Sequence, residues 1–370
     1  MFHLYLTLAY TIPNIYVFFR INYLFIGKGY KLWYTLIYIL LAAVYPLTRY
    51  LPDNEMNLAI QILDTVSGYL LPFYLYLFLS VLGYDLFMLL NLLLKMVSVK
   101  TRKSFRYRFY ALTALILLSV AVVIGGVINL NTIRVSKYQV TLPKKNSIID
   151  NLRVAFVSDI HIEQNLRLGF LEQFVLKVNT LQPDILLYGG DIVEGDNENE
   201  TSEAMESILK KVQPKYGTFG VIGNHEYYGG QEEVVFFRKA QIILLNDTII
   251  NIGNAFYLAG RVDQHFRNRK SIEEILQNNS GDLPIILMDH RPTQLHEVSQ
   301  TSVNVQFSGH THNGQLFPIN FIIHQMYELS WGYKKIRDTH FFVSSGLRLW
   351  GPPVKTVGKS EIIIVDFKFE

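Results

Sequence analysis

Five short polar clusters in the second half of the chain carry residue types that hold metal ions. They are Ser158-Asp159-Ile160-His161, Gly189-Gly190-Asp191, Gly223-Asn224-His225-Glu226, Asp289-His290-Arg291-Pro292 and Gly309-His310-Thr311-His312-Asn313-Gly314-Gln315. Each ends a short apolar run. In an extended segment, residues two apart point to the same side. Asp159 and His161 are therefore expected to reach one ion together, and so are His310 and His312 if their turn stays extended. The glycines let backbone pass close to an ion with no side chain in the way. Carboxylate, imidazole and amide oxygen suit Mn, Fe, Zn, Ni or Co rather than a soft-metal site, and the chain has no cysteine. Asp159, His161, Asp191, Asn224, His290, His310 and His312 are too many groups for one ion and suit two. Each cluster alone also reads as a cap or a left-handed turn. Their order, each at the end of an apolar strand, points to a dinuclear metal centre.

The series Asp-x-His, Gly-Asp, Gly-Asn-His-Glu, His and Gly-His-Thr-His resembles that of the calcineurin-like metallophosphoesterases, over about Leu152 to Phe369. The resemblance implies Asp159, His161 and His312 around a first ion, Asp191 bridging both, and Asn224, His290 and His310 around the second. It implies His225 as a phosphate-contacting acid rather than a ligand. The implied reaction is hydrolysis of a phosphodiester or phosphomonoester by a metal-bridging hydroxide, with His225 protonating the leaving oxygen or stabilising it as imidazolium. The implied fold is two packed mixed sheets flanked by helices. The chain looks most like the membrane-associated phosphodiesterase branch, with two departures. Asn313 stands where that branch commonly has glycine, and Lys355 where a basic residue, often Arg, is typical. Both bear on substrate contacts rather than on metal ligands. Arg291 and Arg348 are candidate phosphate contacts, because guanidinium matches phosphate oxygens; a surface or structural arginine is the competing reading of each. Glu226 reads either as orienting the His225 ring or as a solvated loop carboxylate.

The elements that must position these residues follow from apolar patterning. After a polar connector (134–151), strands are expected at Leu152–Ser158, Asp184–Tyr188, Thr218–Ile222, Ala255–Gly260, Leu283–Met288, Val303–Phe307, His340–Val343 and Glu361–Phe369. Helical spacing links Phe170, Phe174, Val175, Val178 and Leu181, and again Met205, Ile208, Leu209 and Val212. This is the pattern of an α/β domain over 152–370, with the polar clusters at the carboxyl ends of its strands.

The front of the chain is different. Residues 1–134 carry 11 Lys and Arg against 4 Asp and Glu, and residues 135–370 carry 23 against 27. Four apolar stretches, about 2–19, 32–51, 66–94 and 109–130, approach or exceed the roughly 20 residues needed to cross a bilayer. They predict a bundle of about four transmembrane helices in residues 1–133. Arg20, Lys28 and Lys31 mark one cytoplasmic loop, and Lys95, Lys100, Arg102, Lys103, Arg106 and Arg108 another. The loop around Pro52–Asn57, with Asp53 and Glu55, falls on the opposite side. The domain after Leu130 is then expected outside the cytoplasm, as part of an integral protein of the cell membrane. Asp85 at membrane depth is a functional candidate or a residue facing the bundle interior. The soluble part has no basic patch, so a nucleic-acid partner is not expected. Two further readings compete with a simple phosphoesterase. One is a lipid-linked pyrophosphate hydrolase, for which the aromatic segment Phe317–Trp331 would touch lipid. The other is a non-catalytic scaffold of the same fold.

Overall fold

The computed structural model describes residues 2–48, 58–162, 167–194, 200–229, 231–277 and 281–370. The acidic loop around Pro52–Asn57 lies outside the described residues. The chain divides into two compact units, 1–128 with 351–356, and 129–350 with 357–370.

The first unit is helical: α1 (Phe2–Leu24), α2 (Lys31–Thr48), α3 (Leu58–Leu94), α4 (Val99–Lys103) and α5 (Phe105–Leu130). Among the described residues three helices are long and apolar enough to cross a membrane, Lys28–Thr48 (α2 and the short turn before it), α3 and α5. The expected count of four is thereby corrected to three. Pro13, Asn14, Arg20 and Asn22 dilute the apolar character of α1. Its inward side packs on α2 and α3 through Tyr10, Val17 and Ile21, which meet Tyr38, Tyr45, Tyr74 and Leu77. A core this rich in tyrosine must satisfy its hydroxyls internally. Tyr10 donates to Ala42 O at 2.9 Å, and Tyr38 to the backbone and side-chain oxygens of Asn14 at 3.0 and 2.9 Å. Asp85 of α3 is not left bare. It accepts from Arg20 Nε and Nη2 of α1 at 2.8 and 2.5 Å, and from the Tyr16 hydroxyl. The outer faces are apolar, with Leu36, Leu89, Leu93 and Leu117 exposed. Such a surface suits lipid.

The second unit contains twelve strands among its described residues. In chain order they run β1 (Ile133–Leu142), β2 (Asn151–Val157), β3 (Ile185–Tyr188), β4 (Thr218–Gly220), β5 (Ile243–Leu244), β6 (Thr248–Ile252), β7 (Phe256–Arg261), β8 (Ile285–Asp289), β9 (Val305–Ser308), β10 (Gly332–Ile336), β11 (Thr339–Val343) and β12 (Ser360–Phe369). The helices are α6 (Leu168–Leu181), α7 (Glu200–Leu209), α8 (Asn224–Gly229), α9 (Gln231–Lys239), α10 (Ile272–Leu276), α11 (Leu295–Val298) and α12 (Ile319–Met326). Two six-stranded mixed sheets form, ordered β1-β12-β2-β3-β4-β5 and β10-β11-β9-β8-β7-β6. The segment read from sequence as a connector contributes β1, which pairs in parallel with β12 along its whole length.

Period-two alternation sorts the side chains into layers. Leu152, Val154 and Phe156 of β2 face the other sheet, where they meet Phe307, Phe342 and Met288. Ala155 and Val157 face the opposite way, onto Phe170, Phe174 and Val178 of α6 and Met205 of α7. The outer face of the second sheet is covered by Ile272 and Ile275 of α10 and by Leu295 and Val298 of α11. The result is helices, sheet, sheet, helices. Phe307 is central to the inner layer, stacked on Phe156 at 5.0 Å and on Phe342 at 5.2 Å between ring centroids. Phe307→Ala should cost about 3–5 kcal/mol through lost burial and the cavity left behind. Chemical denaturation of the purified protein, followed by a probe of the second unit, checks this; a cost below about 1 kcal/mol would mean the two sheets do not pack as described.

Candidate metal centre

All five polar clusters meet where β2, β3, β4, β8 and β9 end. The backbone there is not extended, contrary to the expectation from spacing. Asp159, His161, Asp191, His310 and His312 all have left-handed φ values, between 48° and 70°. A side chain in that region costs of order 1–3 kcal/mol and persists only where surrounding contacts enforce it. Here they do. Asp159 N and His161 N donate to Gly190 O and Asp191 O at 3.0 and 3.1 Å, so the β2–β3 pairing continues beyond the strands. Gly309 N donates to His290 O at 2.8 Å, and Arg348 N to Asp159 O at 2.9 Å.

The turns sort the histidines. His312 joins Asp159 and His161, while His310 joins Asp191 and His290, each trio presenting ligand atoms within 4.8 Å of one another. His310 and His312 therefore point into different trios. His225 forms a third such group with His161 and Asp191. The Nε2 atoms of His161 and His312 are 3.3 Å apart, and His290 Nε2 is 3.1 Å from Asp191 Oδ2. Asn224 is buried, and its Oδ1 receives no hydrogen bond. Gly223 must be glycine because a Cβ there would collide with Asp191 Oδ1.

Hydrogen bonds behind the rings fix which nitrogen faces inward. His290 Nδ1 donates to Gly189 O at 2.7 Å, leaving Nε2 toward Asp191. His161 Nδ1 lies 2.5 Å from Glu194 Oε1, which also takes His225 Nδ1 at 2.6 Å. Glu194 was missed by the sequence reading. Its only signal is being the next acid after Asp191, three residues on. Glu226 is neither a solvated carboxylate nor the orienter of His225. It is buried and accepts from the backbone N–H of Asp191 at 2.9 Å, Val193 at 3.1 Å, Gly223 at 2.8 Å and Ile192. It thereby clamps the turn that presents Asp191. Arg291 Nε donates to the buried Asp263 at 2.7 Å. The Arg348 guanidinium lies over the Phe170 ring at 4.8 Å.

The electrostatics are those of a cation site. Burial pushes the Asp159 carboxyl up. Burial opposes ionisation of Asp191 too, yet the positive histidines around it, His290 first, hold its carboxyl well below the usual range. Burial alone would lower His290, but the charge and hydrogen bond of Asp191 raise it to about 10. His310 goes the other way, to about 3, through burial and the positive His290 and Arg291. Its neutral ring keeps a lone pair for coordination. Buried carboxylates, imidazoles and an unbonded amide oxygen, with no thiolate, fit hard or borderline divalent ions.

A model of the family described as calcineurin-like phosphoesterase matches residues 152–314. An uncharacterised metallophosphoesterase of Helicobacter pylori is 32% identical over 221 residues, covering 57% of this chain and 58% of that protein. One from Aquifex aeolicus is 30% identical over 262 residues, 67% of this chain and 98% of the relative. A transmembrane protein with metallophosphoesterase domain from Bos taurus is 27% identical, over 58% of this chain and 52% of its own length. The match thus spans little more than half of the Helicobacter and Bos proteins.

A proton balance follows from His290. With its pKa raised to about 10, the ring holds a second proton at pH 7, and a cation taking Nε2 must displace it. Cation affinity should therefore rise with pH up to about 10. Calorimetric titration of metal into the stripped protein, in buffers of differing ionisation enthalpy, should show release of about one proton more than in His290→Gln. Equal release from both proteins would contradict this.

Proposed function

Because this chain belongs to the calcineurin-like phosphoesterase family, we propose that it is a membrane-anchored hydrolase of phosphodiesters or phosphomonoesters working with two divalent cations. The observation that carries this reading is the pair of His/Asp trios set side by side at the strand ends. Asp159, His161 and His312 would hold one cation, Asp191, Asn224, His290 and His310 the other, with Asp191 between them. When bound, the cations supply Lewis-acid polarisation of the phosphoryl group and a water activated for attack.

The chain's own groups do the rest. Glu194 fixes the His225 ring by Nδ1, so that Nε2 is the atom offered to substrate. Burial lowers the proton affinity of His225, but the Glu194 hydrogen bond and the Asp191 charge more than reverse this. A ring whose proton affinity is raised beside the reacting phosphate is suited to donate to the leaving oxygen. The exposed rings of Tyr228 and Trp350 stand beside His225, at 6.5 and 5.9 Å between centroids, and offer an apolar rim to the organic part of an ester. A lipid-linked pyrophosphate would use the same centre, and silence on both esters of the assay below would point to it.

We place the domain outside the cytoplasm. Lys95, Lys100, Arg102, Lys103, Arg106 and Arg108 gather around the amino-terminal end of α5, and such charge stays cytoplasmic. Alkaline phosphatase fused at the carboxyl end should be active and green fluorescent protein dark; the reverse pattern would put the site inside.

The activity test uses detergent-purified protein, stripped of metal and reloaded with Mn, on bis-p-nitrophenyl and p-nitrophenyl phosphate. Asp191→Asn should lower kcat by more than about 100-fold, beyond the loss usual for an outer-sphere partner. His225→Ala should lose about 10²–10⁴-fold, most with poor leaving groups. Full turnover in Asp191→Asn would sink the two-cation reading.

A further inference from the structure

Helix α12 leaves an apolar stripe uncovered. A helix on a soluble surface turns its apolar stripe to the core and its polar side to water. At 100° per residue, Ile319, Ile322, Ile323 and Met326 share one side of α12, and Asn320 and His324 share another. Asn320 and Ile323, both half-buried, are on the side that meets the domain, and His324, itself exposed, reaches it. His324 Nε2 lies 2.8 Å from Asn313 Oδ1, and a Cβ on Gly314 would come within 2.6 Å of Asn320 Cα. Most of the apolar side is open: Ile319 is 39%, Ile322 59% and Met326 67% exposed, while the exposed Phe321 and Gln325 lie off that side. No residue of the helix is buried. Water is the wrong solvent for that face.

The chain itself supplies a better one. Apolar α5 ends at Leu130, and β1 begins at Ile133. Any bilayer crossed by α5 therefore lies within a few residues of this unit, each about 3.5 Å of extended chain. A protein partner fits less well. Eight residues make a helix about 12 Å long, far short of the roughly 800 Å² per partner that a specific interface buries. The same short apolar face is enough to sink into a headgroup–acyl boundary, to a depth of about 5–10 Å.

We propose that α12 lies in the lipid interface, with Ile319, Ile322 and Met326 in the acyl boundary. The inference rests on α2, α3 and α5 being membrane spans. Its consequence for the site is depth. Asn313, which His324 grips, is the neighbour of His312, so a helix fixed in the interface holds the His310–His312 turn at the level of lipid headgroups.

The absence of cysteine makes the test clean. The full chain is reconstituted in phosphatidylcholine–phosphatidylglycerol vesicles with one environment-sensitive label at Ile322→Cys. Leu117→Cys on α5 and Leu176→Cys on α6, both exposed, are the comparisons. The label at Ile322 should be blue-shifted, and shallow doxyl lipids should quench it at least about twofold more than the label at Leu176. Deep doxyl lipids should quench Leu117. Quenching at Leu117 but none at Ile322 overturns the proposal while leaving the spans intact. A blue shift at Ile322 without lipid quenching also overturns it, because protein would then cover the face. No quenching at Leu117 removes the membrane reading and the proposal with it.

Discussion

Asp159 and Asp191 are two carboxylates almost wholly removed from water, and the catalytic unit is organised around that fact. An ionised carboxylate in a dry interior is affordable only when positive charge is drawn beside it. In the chain alone, a proton on His290 partly answers the need; the same negative field is what a divalent cation would answer more fully. Most of the surrounding geometry holds this unfavourable arrangement in place. Glu226 spends its acceptor capacity on the backbone that carries Asp191, Glu194 on the rings of His161 and His225. Glycines at 223 and 309 let neighbouring strand ends approach where a methyl group would collide with a carboxylate. Left-handed turns at five ligand-bearing positions are tolerated because backbone hydrogen bonds hold the neighbouring strand ends.

The helical unit meets the reverse problem. Its solvent is apolar outside, and its interior is where polar groups must find each other. The Tyr16–Arg20–Asp85 cluster does this with charge, and the tyrosine-rich packing of α1, α2 and α3 does it with hydroxyls aimed at helix carbonyls. Asp85, a functional candidate by its depth, is neutralised by an arginine of α1. That contact satisfies its charge inside the bundle.

Much of this was legible in the sequence. The eight expected strands are all present, since fully buried strands read as continuous apolar runs. The strands that were missed, β1, β5, β6 and β10, are short, lie at sheet edges, or alternate with lysine, glutamine and threonine, so their apolar signal is thin. The ligand-type residues could be named because their chemistry is local. How the structure groups them could not be read from spacing, because left-handed turns break the two-residue zigzag that the argument assumed. Glu194 and Glu226 were misjudged for a shared reason: what a carboxylate accepts from is set by distant backbone. The first helix was overcounted as a span because its apolar residues make a packing face for α2 and α3.

The placement of β12 has a consequence for how the protein is made. β12 lies between β1 and β2, so Ile133 waits for Ser360 and Leu142 for Phe369 before either has a neighbour in the sheet. While the ribosome is still producing the middle of the chain, α5 can already sit in the bilayer with an unpaired strand directly behind it. The sheet keeps an open slot until residues 360–369 emerge. Non-local pairing of this kind closes late and leaves strand edges exposed meanwhile. The nascent domain is thus tethered to a membrane at one end and unfinished at its own seam, and its last strand acts as the closure.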